Sequence, residues 1–104
     1  MAQVAVASLA DLKPGAALRV DVDSHRIALV RCGDDIYAIG DRCSHTDVSL
    51  SEGDVSCDDR TIECWKHGST FELTTGEPTT LPATQQVPVY EVVVDGDEIS
   101  VVLP

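Results

Sequence analysis

Basic and aromatic residues are scarce in this chain. Seven Lys and Arg face eighteen Asp and Glu, for a formal charge of −11, and one Trp, two Tyr and one Phe supply only 4% of the 104 residues. The shortage of cations argues against a nucleic-acid partner, whose phosphates need Lys and Arg. It suits solubility, and steering toward a basic patch on a protein partner. No long apolar run is present, so no membrane span is predicted. No positively charged stretch precedes an apolar segment at the N-terminus, so no secretory signal is expected. A G-x-G-x-x-G fingerprint is missing, which leaves a dinucleotide fold unsupported. What remains is a cytoplasmic chain of one domain, 1–104, with a core small enough that a bound metal would add stability. In that compartment cysteines stay reduced and serve as metal ligands.

A sustained 3.6-residue apolar period is also lacking, and the chain reads as all-β. Val4 to Ala7, Leu18 to Val22, Arg26 to Arg31 and Ile36 to Gly40 are short runs rich in branched residues. Gly33-Asp34-Asp35 separates two of them as a hairpin turn. Val89 to Val94 and Ile99 to Leu103 flank Asp95-Gly96-Asp97-Glu98, with Asp-Gly as the turn signal. Ser8 to Leu12 predicts one helical turn, stopped before Pro14-Gly15, and Val48 to Ser51 predicts another. The stretch 41–75 differs from its flanks. It is polar, carries two short hairpins, one of them turned at Asp58-Asp59 between Val55 and Ile62, and reads as an insert in a β framework. Pro78, Pro82 and Pro88 mark a loop after it, because proline cannot donate to a ladder.

Within that insert stand Cys43-Ser44-His45 and Cys64-Trp65-Lys66-His67. Each short pair offers one Cys and one His, the ligand set of a Rieske [2Fe–2S] centre, where two imidazoles replace two thiolates on one iron. Both cysteines can face one iron and both histidines the other. Imidazole is neutral where thiolate is charged, so the oxidised cluster is less negative and takes up an electron more readily than an all-Cys cluster. Tetrahedral zinc also takes two Cys and two His, as a structural site in an interaction module. Its usual spacing, however, puts Cys with Cys and His with His. The mixed pairs favour iron.

These residues resemble the Rieske-type ferredoxins, small carriers of bacterial non-haem iron oxygenase systems. The similarity includes Leu50-Ser51-Glu52-Gly53, Gly68 after the second pair, Phe71, Thr75-Gly76 and Leu81-Pro82-Ala83, and it spans nearly the whole chain. It implies the Rieske fold: antiparallel β-sheets forming a sandwich or barrel-like base, with a two-loop cluster-binding subdomain, here 41–75, under a proline loop. It implies one [2Fe–2S] cluster per chain and transfer of single electrons from an NAD(P)H-dependent flavin reductase to a terminal oxygenase, with no catalysis by the carrier itself. Respiratory Rieske proteins carry an extra Cys in each loop, forming a disulfide. The matching positions here are Val48 and Lys66, so that bond cannot form. Their cluster-proximal Tyr is matched by Phe71, which has no hydroxyl, and their Ser by Ser69.

The expected assignment places Cys43 and Cys64 on the buried iron, and His45 and His67 on the exposed iron, at the port through which electrons pass. Docking is expected at the loop tips, within an acidic surround of Asp41, Asp47 and Glu52, and the carrier is expected to be a monomer. Cys32 and Cys57 read as small, partly buried side chains, with no disulfide between them in a reducing compartment. His25 reads as a solvated loop residue. With only three histidines, two of them on the cluster, the chain cannot also build the two-His-one-carboxylate iron of a terminal oxygenase. Trp65 reads as packing at the loop base in preference to an electron relay, and Arg42 and Lys66 as either solvated charges or local positive charge at the tip. Service in another pathway, such as iron–sulfur cluster assembly or as a nitrite reductase small subunit, is the alternative that sequence leaves open.

Overall fold

Three tight hairpins organise the molecule, a computed structural model describing residues 2–42, 49–66, 68–79 and 85–103. Strands β2 (Ala17–Val22) and β3 (His25–Cys32) turn at Asp23-Ser24, β3 and β4 (Asp35–Gly40) at Gly33-Asp34, and β8 (Val89–Asp95) and β9 (Glu98–Leu103) at Gly96-Asp97. The first turn residue has positive φ in each case: Asp23 at 53°, Gly33 at 63° and Gly96 at 61°. Two-residue hairpins need that conformation because it matches the right-handed twist of the strands they join. Aspartate is among the few non-glycine residues that tolerate it.

With β1 (Ala2–Ser8) these strands form one antiparallel sheet in the order β1-β9-β8-β4-β3-β2. Its two halves are joined where Ala38 pairs Tyr90 and Ile39 pairs Val89. A second antiparallel sheet of three short strands, β5 (Val55–Ser56), β6 (Thr61–Glu63) and β7 (Thr70–Glu72), has its own hydrogen-bonded ladder and packs against the first through a shared core. The described residues contain two 3₁₀ turns, Leu9–Asp11 and Leu50–Glu52, and no helix long and apolar enough to cross a membrane. The all-β reading holds. The second 3₁₀ turn starts two residues later than the pattern predicts and ends one later, and Val48 lies outside the described residues. β7 carried no strand signal of its own. Its three residues are a strand because Ile62 pairs Phe71.

β3 explains how the two sheets share a core. Ile27, Ala28, Leu29 and Val30 are all fully buried, so both faces of this strand are covered. Ile27 and Leu29 join Leu12, Ala38, Ile99, Val101 and Leu103 inside the large sheet. Ala28, Val30 and Cys32, one residue out of phase, join Ile39, Leu50, Ile62, Cys64, Phe71 and Leu73 beneath the small sheet. The period-2 alternation of a strand sends successive side chains into separate cores.

Two expectations fail. Cys32 and Cys57 form a disulfide with Cα atoms 5.4 Å apart, tying the end of β3 to the β5–β6 turn. The compartment argument misses this because it says nothing of geometry, and packing of the two sheets brings the two sulfurs within bonding distance. Arg60 reinforces the same junction, with 3.5 Å to the Cys32 carbonyl, 3.3 Å to Asp35, and its guanidinium 5.9 Å over the Tyr37 ring. His25 is not a solvated loop residue. It begins β3, and its Nδ1 lies 3.1 Å from the Tyr90 hydroxyl with the rings edge to face. Burial raises the pKa of the Tyr90 phenol above its ordinary 10.0.

Candidate metal centre

Cys64 follows β6, and it is a fully buried free thiol. Its N–H donates to the Ser69 carbonyl at 2.6 Å, and its carbonyl accepts from the Gly68 N–H at 2.9 Å. The chain therefore reverses tightly between Cys64 and Ser69, through Gly68 at φ 77°. Trp65 and Lys66 stand exposed in that reversal. Trp65 retains 54% of its surface to solvent, so the packing role expected of it does not hold. The apolar wall is supplied instead by Phe71, Leu73, Ile62 and Leu50, all fully buried in the cluster that includes Cys64. Such a wall limits water at a metal centre. Ser69 is also fully buried.

The stem of the first ligand loop is built differently. Arg42 and Ser49 pair as an isolated antiparallel bridge, and the Leu50 N–H donates to the Asp41 carbonyl at 2.5 Å. Asp41-Arg42 and Ser49-Leu50 therefore form a closed stem. The segment after the stem meets β6 at Gly53, which caps the second 3₁₀ turn. A Cβ there would lie 1.6 Å from the Glu63 carbonyl oxygen, so only glycine lets this segment close against β6. The Glu63 N–H donates to the Asp54 carbonyl at 2.8 Å across the same contact. That contact gives a physical reason for the glycine of Leu50-Ser51-Glu52-Gly53.

Of the four sequence-assigned ligands, Cys64 is placed, whereas Cys43, His45 and His67 lie outside the described residues, as do Asp47 and Leu81-Pro82-Ala83. Among the described residues no group of three or more His, Cys, Asp and Glu gathers to hold a metal. The donor chemistry still fits a two-thiolate centre. Cys32 and Cys57 are committed to each other, so of the four cysteines only Cys43 and Cys64 are left to ligate. Cys64 is held as a free buried thiol against a tightly turned loop. Two acidic residues expected around the tip separate: Glu52 is exposed, whereas Asp41 is fully buried and unavailable to a docking partner. Its partners Arg19, Arg26 and the Ser51 N–H carried no sequence signal, because they reach the Asp41 carboxylate only through the pairing of β2 with β3 and closure of the stem.

A family model described as the Rieske [2Fe-2S] domain matches residues 2–91. The 3-phenylpropionate/cinnamic acid dioxygenase ferredoxin subunit of Escherichia coli (strain K12) is 44% identical over 104 residues, spanning 100% of this chain and 96% of that one. The ferredoxin of carbazole 1,9a-dioxygenase from Nocardioides aromaticivorans IC177 superposes with a TM-score of 0.92 at 44% identity, over 97% of each chain. A second carbazole 1,9a-dioxygenase ferredoxin, solved as oxidised ferredoxin in complex with reduced oxygenase, superposes with a TM-score of 0.87 at 39% identity, over 95% of this chain and 91% of that one.

Proposed function

Because this chain belongs to the Rieske [2Fe–2S] domain family, we propose that it is the ferredoxin component of a ring-hydroxylating dioxygenase system, carrying single electrons to a terminal oxygenase. The carrying observation is the full-length similarity at 44% identity to ferredoxin subunits of two dioxygenases, together with a ferredoxin–oxygenase complex of the same fold. These favour the oxygenase reading over iron–sulfur cluster assembly or nitrite reduction. A zinc-bound interaction module has no comparable support.

On this reading 1–104 is one domain and 41–75 its cluster-binding subdomain. Cys43 and Cys64 would hold one iron, and His45 and His67 would hold the other. When bound, the cluster supplies a one-electron couple. The chain's own contribution is to hold the ligands, exclude water and present a docking face. Phe71, Leu73, Ile62 and Leu50 shield Cys64, while the Trp65-Lys66 tip faces solvent beside the second ligand pair. The electron source is an NAD(P)H-dependent flavin reductase. The carrier works as a monomer, since one small face must serve reductase and oxygenase in turn.

Iron and labile-sulfide analysis with EPR of the reduced protein tests the centre. A Rieske spectrum is expected, and it is lost in His45→Ala and in His67→Ala. A colourless zinc protein, or a histidine variant that keeps the wild-type spectrum, would refute the ligand assignment. Turnover of a reconstituted system with a dioxygenase and its reductase tests the pathway.

A further inference from the structure

Among the described residues, Asp41 is the one carboxylate fully withdrawn from solvent, and it stands two residues before Cys43. Its Oδ1 accepts from the Ser51 N–H at 2.9 Å. Its Oδ2 lies 3.8 Å from Arg19 Nε and 3.7 Å from Arg26 Nη2, and accepts no hydrogen bond among the described residues. The same two arginines donate to Ser49 Oγ, at 3.4 Å from Arg19 and 3.1 Å from Arg26. The Asp41 N–H donates to the Arg26 carbonyl at 2.9 Å. One carboxylate therefore joins β2, β3 and both sides of the stem that carries 43–48.

Backbone bonds already close this stem, through the Arg42–Ser49 bridge and the Leu50-to-Asp41 bond. A buried carboxylate is a costly addition to such a closure, and a buried ion pair generally adds little net stability. What it adds is position. The arginines lie on the rigid β2–β3 hairpin, so the charge fixes the stem's place against the large sheet. Groups that orient metal ligands from one layer out act in this way. We propose that Asp41 is a positioning residue for the first ligand loop, registering Cys43 and His45 against Cys64 through Arg19, Arg26 and Ser51. This rests on the assignment of Cys43 and His45 as ligands.

The test compares the intact holoprotein with Asp41→Ala, Asp41→Asn and Arg19→Gln. Asp41→Ala should lose its cluster to a chelator about 10–100-fold faster, the range for removal of a ligand-orienting partner. Asp41→Asn, which keeps an oxygen for the Ser51 N–H, should show a smaller acceleration. Both should change the g-anisotropy of the reduced EPR spectrum and raise the reduction potential, because a negative charge near the loop is removed. Arg19→Gln, at a partly exposed site that leaves folding intact, should move the loss rate and spectrum more weakly. Unfolding of the apoprotein should change little in Asp41→Asn. Wild-type loss rates and spectra in the Asp41 variants, or equal weakening of apo and holo forms, would overturn the proposal. Cys43→Ser separates the premise: a wild-type cluster in that variant would overturn the ligand assignment whatever the Asp41 variants do.

Discussion

At the scale of single residues, Phe71 bears on the electron affinity of the centre. It is fully buried in the core that holds Cys64, at the position where respiratory Rieske proteins place a tyrosine. A phenylalanine offers no hydroxyl to cluster sulfur, and hydrogen bonds to sulfur raise the potential. Ser69, fully buried and joined to Cys64 through its carbonyl, is left as the side-chain hydroxyl at the other matched position. The expected potential lies toward the low end of the Rieske range of about −150 to +300 mV. Protein-film voltammetry checks this, and a value near the top of the range would refute it. Asp41 and Trp65 show where residue-level reading misleads. Charge suggests a solvated aspartate and apolarity a packed indole, but stem closure buries Asp41, and the tight reversal after Cys64 expels Trp65.

At the scale of elements, the disulfide decides how firmly the small sheet is held. Cys32 and Cys57 are 25 residues apart in sequence, and closing a loop of that size is worth about 3.5 kcal/mol in the chain-entropy description. Cys57→Ser should lower unfolding stability by about 2–4 kcal/mol while the visible spectrum of the cluster persists, because neither cysteine is a ligand. Denaturant titration gives the first quantity and absorbance the second. Loss of the cluster in this variant would make the β3–β5 junction part of the metal site. Hairpins were legible in the chain because Gly33-Asp34 and Gly96-Asp97 carry their own conformational signal. β7 was not, since three residues hold too little alternation and their strand character comes from the pairing of Phe71 with Ile62.

At the scale of the whole molecule, a formal charge of −11 sets the kinetics of encounter. Fields of this size steer a partner with a basic patch, and salt screens them over about 8 Å at physiological strength. Stopped-flow association with the oxygenase should therefore slow as salt rises from roughly 0.05 to 0.5 M. A rate that is unchanged or faster would mean that acidity serves solubility alone.

The sequence by itself determined the antiparallel framework and supplied the ligand pairs proposed for the centre, because both reside in short-range patterns: alternation and turn residues, C-x-H and C-x-x-H. Tertiary structure alone decided that Cys32 meets Cys57, that Gly53 closes against Glu63 at the end of β6, and that Asp41 faces inward to Arg19 and Arg26. Each of those contacts joins residues ten or more positions apart. Their chemistry depends on how two sheets pack, which no local pattern encodes.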